Sequence, residues 1–187
     1  MRAFDPQVSV GPDGFRYFML ALPQPGAFTP FCIPHILDYV LDNGCGISVF
    51  ASEPPGDPEW VFSYGDVLAY FLYGDFDGDP AERAHDHGPG GFSTEKLKEP
   101  RRVLIGSPSE QYYPKRATNV LTRFLHDRLG VARPEIKVLA DPTVCPTLSL
   151  AINVRSADYG GDATRLYEAM RYVRWFLPRT HGLMSLP

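Results

Sequence analysis

The residues best suited to metal chemistry lie in a short acidic segment that also carries two histidines. Residues 75–80 read Asp-Phe-Asp-Gly-Asp-Pro, and residues 85–87 read His-Asp-His. Carboxylates bind hard cations, and paired imidazoles bind zinc or iron. The candidate metal ligands are therefore Asp77, Asp79, His85 and His87. A metal bound there would indicate a metal-dependent enzyme that uses residues 75–87, and a solvated acidic loop is the alternative interpretation.

Cys45 is the candidate nucleophile, because it lies between two glycines that could leave its thiol exposed. No local signature brings a histidine to it, so a buried and inert cysteine is the alternative. The other cysteines, Cys32 and Cys145, are distant in sequence and form no Cys-x-x-Cys pair. This spacing argues against a zinc or redox pair and fits a reducing, cytoplasmic environment.

The sequence lacks the common motifs of catalysis and nucleotide binding. It contains no Gly-x-Ser-x-Gly elbow, no phosphate loop ending in Gly-Lys-Ser/Thr and no Gly-x-Gly-x-x-Gly after a predicted strand. The acidic segment also departs from a calcium loop, since Pro80 and Asp86 stand where that loop uses Gly and Glu. We therefore expect no cofactor.

Aromatic residues next to arginines are the candidate interaction surface. Tyr172 and Trp175 fall off the inner stripe of the last predicted helix, beside Arg171. Protein interfaces favour aromatic residues and arginine, although packing under the C-terminal tail would use them equally well. Tyr112 and Tyr113 complete the candidate set.

Basic residues cluster in the second half and raise the question of nucleic-acid binding. The cluster consists of Lys96, Lys98, Arg101, Arg102, Lys115, Arg116, Arg123 and Arg128. Arginine and lysine on the outer face of an amphipathic helix are ordinary solvated residues, and the sequence pI is only about 5.7. We therefore do not expect a nucleic-acid partner.

Charge is divided unevenly along the chain. No Lys or Arg occurs between Arg16 and Arg83, an interval that contains ten carboxylates. From Arg83 onward there are 16 basic and 10 acidic residues, and the whole chain carries a formal net charge of −4. Either the two halves attract each other, or the acidic half presents its surface to a partner. Because so many carboxylates cannot all reach the opposite half, we expect moderate salt to raise the melting temperature.

The first half predicts short strands around one helix. The segments 15–22, 47–51 and 60–64 are rich in β-forming residues and indicate strands. Residues 33–42 carry apolar side chains at helical spacing and indicate a helix. Residues 67–73 are apolar all round, so a buried helix and a buried strand both remain open.

The second half begins after a stretch rich in Gly, Asp, Pro and His. Residues 75–100 have no apolar periodicity, which predicts a long loop or linker between two lobes. The pattern that follows predicts strand, helix, strand, strand and helix, over residues 102–105, 115–129, 136–140, 148–154 and 163–177.

The two halves share a faint internal similarity. Residues 47–51 and 58–60 show the same apolar alternation and proline placement as residues 136–140 and 146–148. A duplicated αββα unit would explain this, and a chance similarity between strands would explain it equally well.

One segment carries a family resemblance. Residues 103–114 read Val-Leu-Ile-Gly-Ser-Pro-Ser-Glu-Gln-Tyr-Tyr-Pro and precede the predicted helix and strands of the second half. A strand that ends Ile-Gly-x-Pro-x-Glu, with a proline before an amphipathic helix, resembles the C-terminal domain of SseB-type proteins, named for enhanced serine sensitivity. The resemblance covers about a third of the chain and implies a fold and a non-catalytic, interaction-type protein.

Composition and pattern together predict an α+β protein. Hydrophobic residues make up 44% and charged residues 21%, as in globular proteins. We find no leader pattern and no apolar stretch of about 20 residues, so we expect neither export nor membrane insertion. We expect an acidic N-terminal α+β lobe (1–74), a loop (75–100) and an SseB-like α+β lobe (101–187), packed as one body around mixed or antiparallel sheet. The expected function is a non-enzymatic cytoplasmic interaction or regulatory module, whose partner is another protein or a second copy.

Overall fold

A computed structural model describes residues 7–21, 33–51, 56–76, 103–141 and 148–186. It is an α+β structure with four helices and two four-stranded mixed sheets in the described residues. Each sheet is built within one half of the chain. The predicted fold class is therefore confirmed.

The first sheet has the strand order β1-β2-β3-β4. The elements of this half are β1 (Val8–Val10), β2 (Arg16–Ala21), α1 (Ile33–Asn43), β3 (Gly46–Phe50), β4 (Trp60–Phe62) and α2 (Tyr64–Tyr73). Strands β2 and β3 are parallel, with Phe18 opposite Ile47, and the other two pairings are antiparallel. Because parallel neighbours need a crossover connection, α1 lies between them in the chain.

The second sheet has the strand order β5-β6-β7-β8. Its half contains β5 (Leu104–Gly106), α3 (Lys115–Asp127), β6 (Ile136–Ala140), β7 (Leu148–Ile152), α4 (Ala163–Arg174) and β8 (Gly182–Ser185). Strand β6 pairs antiparallel with both β5 and β7, whereas β7 and β8 are parallel and are connected through α4.

Helix α2 settles the ambiguous apolar run at residues 67–73. The Ser63 hydroxyl accepts a hydrogen bond of 3.1 Å from the Asp66 amide, and the Asp66 carboxylate accepts one of 2.9 Å from the Ser63 amide. This reciprocal capping box satisfies two amides that a helix start leaves unpaired. Gly74 ends the helix with a φ of 73°, a conformation that glycine adopts readily. The predicted strand at residues 60–64 was wrong at its end, because Tyr64 already belongs to this helix.

The remaining differences from prediction concern the ends of the two sheets. Strands β1 and β8 were not predicted, since segments of three and four residues give too little alternation to read. The last helix ends at Arg174 rather than near residue 177. Helix α4 begins where expected, because the Asp162 carboxylate accepts hydrogen bonds from the Thr164 and Arg165 amides.

One cluster of buried side chains includes residues from both halves of the chain. The first half contributes Val40, Leu41 and Leu68, and the second contributes Leu121 and Val173, all with no exposed surface. Apolar burial is the main favourable term in folding, so this common core holds the halves together.

Ion pairs also join the acidic first half to the basic second half. On α3, Arg116 lies 2.8 Å from Asp38 and 3.4 Å from Asp42. Arg179 lies 3.0 Å from Asp66. The two halves therefore do attract each other through specific contacts, although pairs with exposed members contribute only about 0–1 kcal/mol each.

The predicted repeat corresponds to two units with the same order of elements. In the first, α1 and α2 flank the hairpin of β3 and β4, and in the second, α3 and α4 flank the hairpin of β6 and β7. The strand before each unit runs differently, because β2 is parallel to β3 whereas β5 is antiparallel to β6. A duplication stays a prediction. The expected linker, residues 75–100, lies largely outside the described residues.

Candidate functional site

A cleft of about 660 Å³ lies beside α4. Three parts of the chain form its walls: the turn between β1 and β2, the start of α2, and α4 with the segment after it. The lining residues are Pro12, Asp13, Phe15, Ser63, Asp66, Glu168, Arg171, Tyr172, Arg174, Trp175, Leu177 and Arg179. The two halves of the chain therefore build the cleft jointly.

Helix α4 presents three of the predicted interaction residues to this cleft. Its buried face packs Ala169 and Val173 into the core. With 3.6 residues per turn, this leaves Arg171, Tyr172 and Trp175 together on another side of the helix. The Tyr172 side chain is 48% exposed, so it is accessible to a partner.

The ring of Trp175 is held in one orientation by residues of the first half. It stacks on Phe15, with ring centroids 4.0 Å apart and an interplanar angle of 2°. Its indole N–H donates a 3.1 Å hydrogen bond to the Tyr17 hydroxyl, which in turn donates to the Asp13 carboxylate. Burial, with the hydrogen bond to Asp13, raises the pKa of Tyr17, so this phenol stays protonated and keeps its donor role. The aromatic floor of the cleft is thus preorganised.

A buried carboxylate and an exposed arginine meet at the start of α2. One oxygen of Asp66 accepts hydrogen bonds of 2.9 Å from the Ser63 amide and hydroxyl, and the other accepts one of 3.0 Å from Arg179 Nε. The Asp66 side chain is 8% exposed, whereas that of Arg179 is 66% exposed. Asp66 therefore stabilises the helix start and positions an arginine at the cleft wall.

Arg174 has a structural role on the same wall. Its guanidinium donates hydrogen bonds to the carbonyl oxygens of His181 and Arg179. Burial lowers the pKa of Arg174. Because its donors are directed at the backbone after α4, this arginine fixes the segment that carries Arg179.

His181 is a buried titratable group behind this wall. Its Nε2 lies 2.7 Å from the Tyr73 hydroxyl, and its ring stacks on Tyr112 with centroids 4.0 Å apart. Its Nδ1 is buried without a hydrogen-bond partner in the described part of the chain. Burial, helped by the charge of Arg174, lowers the pKa of His181 to about 3. The imidazole is therefore neutral at physiological pH.

The two predicted tyrosines before α3 do not join the cleft. Tyr113 was predicted as a surface residue, and this was wrong, because the side chain is fully buried and its hydroxyl donates to the Phe176 carbonyl oxygen at 3.3 Å. Tyr112 is half-buried and donates a 3.1 Å hydrogen bond to the Leu148 carbonyl oxygen. Both tyrosines therefore pack within the second half of the chain, with their hydroxyls bonded to its backbone.

Cys45 and the candidate metal ligands are the other chemical candidates from the sequence. Cys45 is fully buried, and burial raises the pKa of its thiol, the opposite of what activates a nucleophile. The candidate metal ligands Asp77, Asp79, His85 and His87 lie outside the described residues, so the metal interpretation stays a prediction. Within the described ranges, no three His, Cys, Asp or Glu side chains are grouped as metal ligands.

Sequence reasoning did not identify the cleft residues contributed by other segments. Phe15 and Asp13 belong to the β1–β2 turn, and Arg179 follows α4. Only Asp66 had a readable signal, because Ser63-x-x-Asp66 before an apolar run is a capping pattern. The long-range contacts of Phe15 with Trp175 leave no trace in local spacing.

In the part that the structure describes, no helix has the length and apolar character needed to cross a membrane. Searches against family models, curated proteins and solved structures found no match.

Proposed function

We propose that this chain is a non-enzymatic protein-interaction module that binds an extended segment of a partner in the α4 cleft. The observation that carries the proposal is the exposure of Tyr172 beside Arg171, in a cleft that is also lined by Trp175, whose ring stacks on Phe15. Tyrosine, tryptophan and arginine are the residue types that most often dominate the binding energy at interfaces.

The rigidity of the cleft supports the same proposal. Trp175 is held both by stacking and by the hydrogen bond to Tyr17, so little side-chain freedom is lost when a partner binds. Preorganisation of this kind increases affinity without additional contacts. The resemblance of residues 103–114 to SseB-type proteins also favours an interaction protein over an enzyme.

The chemistry of the walls favours a partner segment with an apolar or aromatic side chain followed by a carboxylate. The apolar group would contact Tyr172 and Trp175. Arg171, which makes no ion pair with any described residue, would receive the carboxylate through its planar guanidinium. Glu168 and Asp13 on the same cleft disfavour long acidic runs, so one carboxylate at this position fits better than several.

Peptide display against the purified protein tests this proposal. We expect enriched peptides with the apolar-then-acidic pattern, and we expect Tyr172→Ala to weaken the best peptide by at least about tenfold in fluorescence anisotropy. Arg171→Glu should weaken it comparably.

Two exposed positions on the same helix provide matched controls. Tyr167→Ala changes a tyrosine that is 45% exposed, and Arg165→Glu changes an arginine that is outside the cleft. Both should leave peptide affinity within about twofold. Selection without any enriched pattern, or equal losses in the controls and the cleft variants, would count against the proposal.

A further inference from the structure

Two of the carboxylates that line the α4 cleft form no ion pair with any described residue. Asp13 lies in the turn between β1 and β2, and Glu168 lies on α4. The third carboxylate of the cleft, Asp66, differs because it is bonded to Arg179. Arg171 also lacks an ion pair among the described residues. The cleft therefore presents charges of both signs that the described chain leaves uncompensated.

Asp13 is held by the same residues that hold the ring of Trp175. One oxygen of its carboxylate accepts a 3.1 Å hydrogen bond from the Phe15 amide, and the other accepts one from the Tyr17 hydroxyl. The Phe15 ring stacks on Trp175, and the Tyr17 hydroxyl accepts the indole N–H of Trp175. The carboxylate of Asp13 is thus fixed beside the aromatic part of the cleft.

Asp13 keeps its charge and the capacity for further hydrogen bonds. A carboxylate oxygen can accept two hydrogen bonds, and each oxygen of Asp13 accepts one from a described group. Both donors are neutral, so they leave the negative charge uncompensated. Arg128 approaches the same turn at Gly14 but forms no ion pair with Asp13. A cationic group of a partner can therefore form charge-assisted hydrogen bonds with Asp13.

Glu168 lies one helical turn before the residues that the proposed partner contacts. Residues three and four positions apart on a helix are neighbours, with Cβ atoms about 5–6 Å apart. Glu168, Arg171 and Tyr172 are all exposed and line the cleft. Along this side of α4, the order is therefore an acidic residue, then a basic and an aromatic residue, and finally Trp175 just after the helix.

We infer that the partner segment carries a basic side chain, which Asp13 and Glu168 bind, in addition to the carboxylate that Arg171 receives. The inference rests on the proposed function, because it assigns a second charged group to the same partner. A lysine or arginine side chain gains charge-assisted hydrogen bonds from carboxylates and is attracted to the face of an exposed aromatic ring such as that of Tyr172. Arg174 directs its donors at backbone carbonyl oxygens and is not the cation that these carboxylates bind.

The positions along α4 predict the spacing of the charged groups in the partner. In an extended segment, side chains on one face recur at every second residue, about 6.6 Å apart. This spacing is close to the separation of about 5–6 Å between helix neighbours such as Arg171 and Glu168. A segment that runs along the helix from Trp175 towards Glu168 therefore has the order apolar, acidic, basic, with one residue between successive groups.

Fluorescence anisotropy with labelled peptides from the display selection tests the inference on the whole chain. Replacing the basic residue of the best peptide by glutamine should weaken binding about three- to fivefold, and so should Glu168→Gln in the protein. The two changes act on one contact, so Glu168→Gln should have no further effect on the glutamine analogue. Glu135→Gln removes the same charge at an exposed position outside the cleft and should leave affinity within about 1.5-fold.

Two further variants separate charge recognition from folding. Glu168→Lys should bind the analogue with glutamate in place of the basic residue at least about threefold more tightly than the wild type does, a gain that a misfolded protein cannot produce. Asp13→Asn should weaken the best peptide more than its glutamine analogue. Equal losses on the two peptides would give Asp13 a purely structural role and overturn its part in the inference.

The outcomes distinguish this inference from the proposed function. Selected peptides without a basic residue overturn the inference, as does a glutamine analogue that binds as tightly as the parent or an equal effect of Glu168→Gln and Glu135→Gln. In each of these cases a loss of affinity in Tyr172→Ala would still support the proposed function. A selection that enriches no pattern removes both.

Discussion

The backbone amide of Gly65 donates a hydrogen bond of 2.9 Å to the carbonyl oxygen of Trp175. This bond joins the first turn of α2, in the acidic half, to the residue directly after α4, in the basic half. The approach is so close that a β-carbon at Gly65 would lie 2.0 Å from the Leu177 carbonyl oxygen. The contact between the two halves at the cleft therefore depends on a glycine at this position.

Gly65→Ala should destabilise the protein by roughly 2–4 kcal/mol, because the added methyl group meets backbone atoms that cannot rotate away. At an unhindered helix position, a change from glycine to alanine would stabilise the protein by about 1 kcal/mol. A loss of stability in Gly65→Ala therefore indicates the steric clash. Urea unfolding measures it. Gly56→Ala, where no atom lies within 4 Å of the new methyl group, is the control and should stay within about 0.5 kcal/mol of the wild type. A neutral Gly65→Ala would contradict the close contact.

Stability should fall as the pH decreases, owing to His181. The unfolded histidine binds a proton near pH 6.5, whereas in the folded chain its pKa is lowered to about 3. The contribution of the neutral imidazole is complete above pH 6.5 and is lost progressively as the pH falls towards 3. By linkage, about 2 kcal/mol of the free energy of unfolding should be lost between neutral pH and pH 5.

The groups around His181 explain why it does not accept a proton. Burial disfavours the charged form and Arg174 repels it, and the Tyr73 hydroxyl and the Tyr112 ring provide no negative charge. His181→Gln keeps a polar group near Tyr73 but cannot titrate. Between pH 7 and pH 5, its free energy of unfolding should therefore decrease by about 2 kcal/mol less than that of the wild type. His35→Gln makes the same substitution at an exposed position on α1 and is the matched control. Identical pH curves for wild type and His181→Gln would refute this assignment.

Asp66 should matter more for stability than its ion-pair partner Arg179. Asp66→Asn weakens the capping box and removes the charge at the helix start, for an expected loss of about 1–3 kcal/mol. Arg179→Gln removes a side chain that is 66% exposed and should cost less than about 1 kcal/mol. Chemical denaturation of the two variants and of the double variant gives both values and their coupling. Equal losses would mean that the ion pair, rather than the cap, dominates.

Moderate sodium chloride should raise the melting temperature by a few degrees at most, because screening relieves repulsion among the carboxylates of the first half. Arg116 already neutralises part of this repulsion through Asp38 and Asp42. Arg116→Gln should therefore show a larger salt-dependent rise than the wild type. Arg165→Gln, on α4, is the control and should follow the wild type. A melting temperature that falls with salt would show that attraction between the halves outweighs repulsion.

The local sequence determined the elements whose pattern repeats within a few residues. Helices α1, α3 and α4 were predicted, because side chains three and four positions apart share one helical face and their apolar spacing shows in the sequence. The uneven charge and the α+β class were equally readable. The apolar run at residues 67–73 could not be assigned by periodicity alone, and the Ser63–Asp66 capping box decides that it is a helix.

Only the tertiary structure decided which side chains meet. The pattern singled out Tyr172 and Tyr113 alike, yet one is 48% exposed at the cleft and the other has no exposed surface. Phe15 reaches Trp175 across 160 positions of sequence, because the β1–β2 turn is held against the end of α4. Burial and such contacts depend on how strands pair and helices pack over long separations, and the spacing of neighbouring residues carries no information about them.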